Sequence, residues 1–144
     1  MNNSSSETDL RSLDNVPADK NRDIALLLLR IGVGVIFIVA GWGKLTGIEG
    51  VQAFFGSVGI PLPGLMAWIV ALVEFVGGIM VLVGSYIRVP AILLAIIMVV
   101  AIITTKIGDD FGAYRVDALL LLMSAALALM GPGRLSVDDI FSRK

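Results

Sequence analysis

Four apolar runs, at about 24–45, 63–84, 87–106 and 113–131, fill most of this 144-residue chain and leave few ways for it to fold. Each is close to the ~20 residues that a helix needs to cross about 30 Å of hydrocarbon. They are rich in Leu, Ile, Val and Ala without period-two alternation. That pattern disfavours a transmembrane barrel, whose strands alternate over about 10 residues. The expected fold is all-α: a four-transmembrane-helix antiparallel bundle with a short interfacial helix after the first span. Its parts are a disordered cytoplasmic tail over 1–23, the transmembrane domain over 24–131 and a short cytoplasmic C-terminal tail over 132–144.

Composition agrees with lipid as the solvent. The chain is 57% apolar with a mean hydropathy of +0.92, against the roughly 45–50% apolar usage of soluble domains. A net charge of −1 with scattered basic residues offers no field for nucleic acid. The chain has no Cys and no His, so by itself it supplies no disulfide, no thiolate-held iron–sulfur cluster, no zinc site of the usual kind and no His-ligated haem.

The connections set the topology. "SYIRVP" and "IGDDFGA" are short enough to make the helices they join antiparallel neighbours. In the longer "TGIEGVQAFFGSVGIPLP", residues Val51, Phe54, Phe55 and Val58 recur at helical spacing, as in an amphipathic helix lying in the membrane interface; a simple packed loop is the alternative. Pro61 and Pro63 favour a helix start there. Gly131, Pro132 and Gly133 favour a stop, and Ser136 with Asp139 resembles a capping box for a short tail helix.

Basic residues flanking the spans give the orientation. Arg11, Lys20, Arg22, Arg88, Arg134, Arg143 and Lys144 gather on one side, against Lys44, Lys106 and Arg115 on the other. The positive-inside rule then puts both termini in the cytoplasm of a multi-pass protein. Trp42, Trp68, Tyr86 and Tyr114 near the span ends fit an aromatic belt.

Charges within the runs are the candidates for function. Stepping 100° per residue, Arg30, Gly34, Phe37, Gly41 and Lys44 share one face of the first helix. Glu74 shares a face with Ala67, Gly78, Val81 and Ser85, and Asp117 with Ser124, Ala128 and Gly131. A charge at the bilayer centre costs roughly 2.5–3.5 kcal/mol on insertion scales, so these stripes are expected to converge inside the bundle. Glu74 and Asp117 lean outward and Lys44 inward, which makes a cluster of the three geometrically easy; a pair between Arg30 and Glu74 is the alternative. Glu74 is the candidate for proton exchange, and Arg30, Lys44 and Asp117 are candidates for substrate binding. The competing reading is that the buried ions only fix helix pairing.

Taken together, "LRIGVGVIFIVAGWGKL", "VEFVGGIMVLVGSYIR" and "GPGRLSVDD" resemble the DoxX family of small four-helix membrane proteins, over roughly residues 24–139. The resemblance implies a plasma-membrane protein related to the membrane subunit of thiosulfate:quinone oxidoreductase, with Arg30, Lys44 and Glu74 at the family's polar positions. The family's acidic residue near the start of the fourth helix is matched in type by Asp117, although a shift of two residues would set Arg115 there. Such a chain is expected to be a subunit of a redox assembly. It would bind quinone as an apolar cofactor or substrate, draw electrons from a partner, and assemble with a partner subunit or as a homo-oligomer. The reading from another class is a scaffold or small-solute or ion carrier.

Overall fold

The computed structural model describes residues 17–105 and 111–142. The expected tail up to residue 16, the connection 106–110 and the last two residues lie outside the described residues. Those described form helices and no strands. In chain order these are α1 (Pro17–Thr46), α2 (Ile48–Ser57), α3 (Pro63–Val83), α4 (Arg88–Thr105), α5 (Phe111–Met130) and α6 (Val137–Ser142). By length and composition α1 and α3 can cross a membrane, and α4 is a shorter apolar helix.

Helix α1 already includes residues 17–23, ahead of the expected edge of the first span at 24. The polar residues of that stretch carry the helix beyond the apolar run without breaking it. The part of the expected disordered tail from 17 to 23 is therefore helical. Asp23 also accepts a hydrogen bond from the Arg134 backbone N–H at 3.1 Å, tying this turn to the C-terminal segment.

Helix α1 packs chiefly on α3, and α4 chiefly on α5. The α1–α3 crossing is close because glycines face it. A β-carbon on Gly34 would stand 2.9 Å from the Gly78 carbonyl oxygen, and one on Gly78 would stand 2.8 Å from the Ile38 nitrogen. One on Gly41 would overlap the Phe75 backbone. Without an aqueous driving force, helices gain from such close backbone approach. By contrast Gly43, the first glycine of a G-x-x-x-G with Gly47, faces open space.

The core is formed by Leu26, Val33, Phe37, Val81, Ile87, Leu94 and Leu127, and the outside is as greasy as the inside. Leu28, Val39, Leu72, Ile96, Leu122 and Leu129 are exposed, the last at 82%. Among the described residues, the buried polar or charged ones are Arg30, Glu74, Ser124 and Ser136. A water-facing domain rarely leaves apolar patches beyond a few hundred Å²; here the apolar surface runs along every long helix.

After α5 the chain turns at Gly131 and Gly133, both in the left-handed region. The Ser136 hydroxyl oxygen accepts the Asp139 N–H at 3.3 Å and caps α6. This segment closes one end of the bundle.

Candidate functional site

Helix geometry sends the charged stripes inward. Arg30, Gly34, Phe37 and Gly41 are buried on α1, and Ala67, Ala71, Glu74, Gly78 and Val81 on α3. Where the stripes meet, Lys44 Nζ donates to Glu74 Oε2 at 2.5 Å. The pair is asymmetric: the Glu74 side chain is 2% exposed, and that of Lys44 is 30% exposed. The Trp42 and Phe75 rings, 5.9 Å apart, pack beside it.

This ion pair forms part of the wall of a cavity of about 690 Å³. Asp117 of α5 lines the same cavity, and its charge acts on Glu74. Thr104 contributes a hydroxyl, which donates to the Val100 carbonyl at 2.7 Å. The remaining lining is largely apolar, including Val51, Phe54 and Phe55 of α2, Met66 and Val70 of α3, and Ile97 and Met98 of α4. The structure thus brings Lys44, Glu74 and Asp117 to one cavity.

Arg30 does not join them. Its guanidinium, buried with its side chain, donates to the carbonyl oxygens of Val81 at 3.1 Å, Leu82 at 2.9 Å, Pro132 at 3.2 Å and Leu135 at 2.6 Å. The first two belong to the last turn of α3, where carbonyls have no partner further along the helix. Glu74 lies seven residues earlier, about 10 Å along the axis. Four carbonyl dipoles, together with the nearby charge of Asp138, take the place of a carboxylate partner. Asp138 also accepts the Tyr86 N–H at 2.7 Å, so α6 is tied to the same end of α3.

Two contributors were not expected as site residues. Helix α2 was predicted as an interfacial element, but Val51, Phe54 and Phe55 also wall the cavity. Thr104 is a polar residue at the end of the otherwise apolar α4, a composition signal that could have marked it. Arg115 is exposed and does not line the cavity, so on this geometry Asp117 is the fourth-helix residue that reaches it.

Comparison with known proteins adds a second line of support. The DoxX family profile matches residues 25–107. The chain is 43% identical over 121 residues to "Putative oxidoreductase CatD" of Bacillus subtilis (strain 168), covering 83% of this chain and 89% of that protein. It is 33% identical over 132 residues to the inner membrane protein YqjF of Escherichia coli (strain K12), covering 87% and 98%. The inner membrane protein YphA of the same organism is 31% identical over 130 residues, covering 81% and 90%. No solved structure matches the chain.

Proposed function

Because the chain belongs to the DoxX family of membrane proteins, we propose that it is a four-span, quinone-binding membrane subunit of a redox complex. In this reading α1, α3, α4 and α5 cross the plasma membrane as an antiparallel bundle, with both termini in the cytoplasm and α2 at the outer interface. The name of the Bacillus subtilis relative, "Putative oxidoreductase CatD", agrees with the redox class.

The observation that carries the proposal is the Lys44–Glu74 pair, at 2.5 Å, lining a largely apolar cavity of about 690 Å³. Ligand sites commonly enclose about 300–1,000 Å³, with apolar walls and a few polar groups. A quinone ring with the first part of its tail fits that combination. A bound quinone would supply two-electron, two-proton chemistry. Lys44 Nζ is placed to donate a hydrogen bond to a ring oxygen, and Glu74 Oε2 to hold and pass a proton beside it. Asp117 provides a second carboxylate on the same cavity, and the apolar walls exclude water. Electrons come from a partner subunit, because a chain without Cys or His supplies no ligands for an iron–sulfur cluster or a His-ligated haem of its own.

Purification in native lipid followed by solvent extraction tests the reading. The native protein is expected to retain quinone and Glu74→Gln to lose it. Equal retention, or none in either, rejects the proposal.

Arg30 favours the second reading for its own position. A guanidinium that makes four hydrogen bonds to the carbonyls of α3 and the C-terminal segment assembles the bundle. We assign it that positioning role.

A further inference from the structure

We propose that α2 is a movable lid over the cavity, hinged at Gly47 and at residues 59–62 and latched on α3 by Gln52. The lid rests on the ligand-binding reading above for its purpose, and it gives that site a way to load and to close.

One wall of the cavity differs from the rest. Helices α1 and α3 meet backbone to backbone at Gly34, Gly41 and Gly78, and α4 rests chiefly on α5, so parting either pair forfeits a long run of close packing. Helix α2 is 10 residues long and contributes Gly50, Val51, Phe54 and Phe55 to the lining. It packs on α3 and, more lightly, on α1; nothing comparable joins it to α4 or α5 among the described residues. Yet Ile97 and Thr104 of α4 and Asp117 of α5 line the same cavity. The edge of α2 toward those two helices is therefore unsupported.

What holds α2 down is slight, and both of its ends can turn. Phe55 is its one buried residue. Among the described residues, one side-chain hydrogen bond ties it to a neighbouring helix: Gln52 Nε2 donates to the Gly64 carbonyl at 3.4 Å. Few buried contacts and a long hydrogen bond mark a segment of low local stability. Gly47 alone separates α2 from α1 and caps it without a side-chain hydrogen bond. At the other end Gly59 has φ 77° and Leu62 has φ 49°. Leu62 lies between Pro61 and Pro63, so its left-handed backbone is neither what a side chain prefers nor what a following proline favours. Strain of this kind collects at switch regions, and a few element-terminal positions are enough to carry a lid. Closed, Phe54 and Phe55 cover the cavity; raised, α2 breaks the Gln52 bond and uncovers it.

The chain has no cysteine, so Ala53→Cys on α2 and Ile103→Cys on α4, both at exposed positions, can carry a pair of spin labels on the full chain in nanodiscs. Pulsed EPR is expected to show two distance populations, with the longer one reduced when decylubiquinone is added. Gln52→Ala is expected to raise the longer population about two- to tenfold, as the loss of one hydrogen bond shifts an equilibrium. A single distance, with and without decylubiquinone and in Gln52→Ala, overturns the lid whether or not quinone is retained on extraction. Two populations that Gln52→Ala shifts and decylubiquinone does not, with none of it retained, reject the binding reading and support the lid. Two populations that Gln52→Ala leaves unchanged overturn the latch.

Discussion

The guanidinium of Arg30 occupies the space that a β-carbon on Gly84 would need. Gly84 ends α3 in the left-handed region at φ 77°, where its lack of a side chain serves both the turn and the arginine. Gly84→Ala is expected to cost at least about 2 kcal/mol, from the unfavourable dihedral and the overlap together. Arg30→Lys keeps the charge but loses the planar fork that serves several carbonyls, so it is expected to lower the thermal midpoint as well. Unfolding of each variant in mild detergent measures both.

The glycines of the α1–α3 crossing give a contrast in sign. Gly78→Val places methyl groups against the Ile38 backbone and is expected to destabilise by about 1–3 kcal/mol or more. Gly43→Ala meets nothing within 4 Å and is expected to be neutral or to stabilise by up to about 1 kcal/mol through helix propensity. Thermal midpoints of the two variants, compared side by side, check the order.

The Lys44–Glu74 pair predicts an unequal response to losing either partner. Lys44→Met leaves a buried carboxylate without its cation and is expected to cost up to about 3 kcal/mol, less than a fully buried pair because Lys44 is partly exposed. Glu74→Gln frees a lysine that can reach water, so its cost is expected to be smaller. The double variant should resemble Glu74→Gln alone. A double-mutant cycle with no coupling contradicts the pair's importance.

The proposed orientation is checked by accessibility. Ser57 at the end of α2 and Ser142 at the end of α6 are both exposed, and neither competes with a native thiol. In intact cells an impermeant maleimide is expected to label Ser57→Cys and to spare Ser142→Cys. Labelling in the opposite pattern inverts the topology.

Much of this was readable from the sequence because lipid-scale helices leave few options. Helical stepping placed Arg30, Gly34, Phe37 and Gly41 on one face, and that face is buried. The helices expected at 63–84, 87–106 and 113–131 occupy Pro63–Val83, Arg88–Thr105 and Phe111–Met130. The partner of Glu74 was not readable, since Lys44 and Arg30 sit on the same stripe and helix depth is uncertain by more than a turn. What separates them is tertiary: the end of α3 presents carbonyls to Arg30, and no periodicity reports where a neighbouring helix stops. Nor could helical spacing tell that α2 would wall the cavity.

The arginine clasp also bears on the order of assembly in the membrane arrangement proposed above. Arg30 precedes its acceptor Pro132 by 102 residues, so a charge inserted with the earliest helix waits for nearly the whole chain to be synthesised. Val81 and Leu82 supply two of its acceptors once α3 is in place; until the segment after α5 arrives its remaining N–H groups must borrow water or lipid phosphate. Truncation just after α5 would thus strand a half-solvated cation and expose the unfinished protein to quality-control proteolysis.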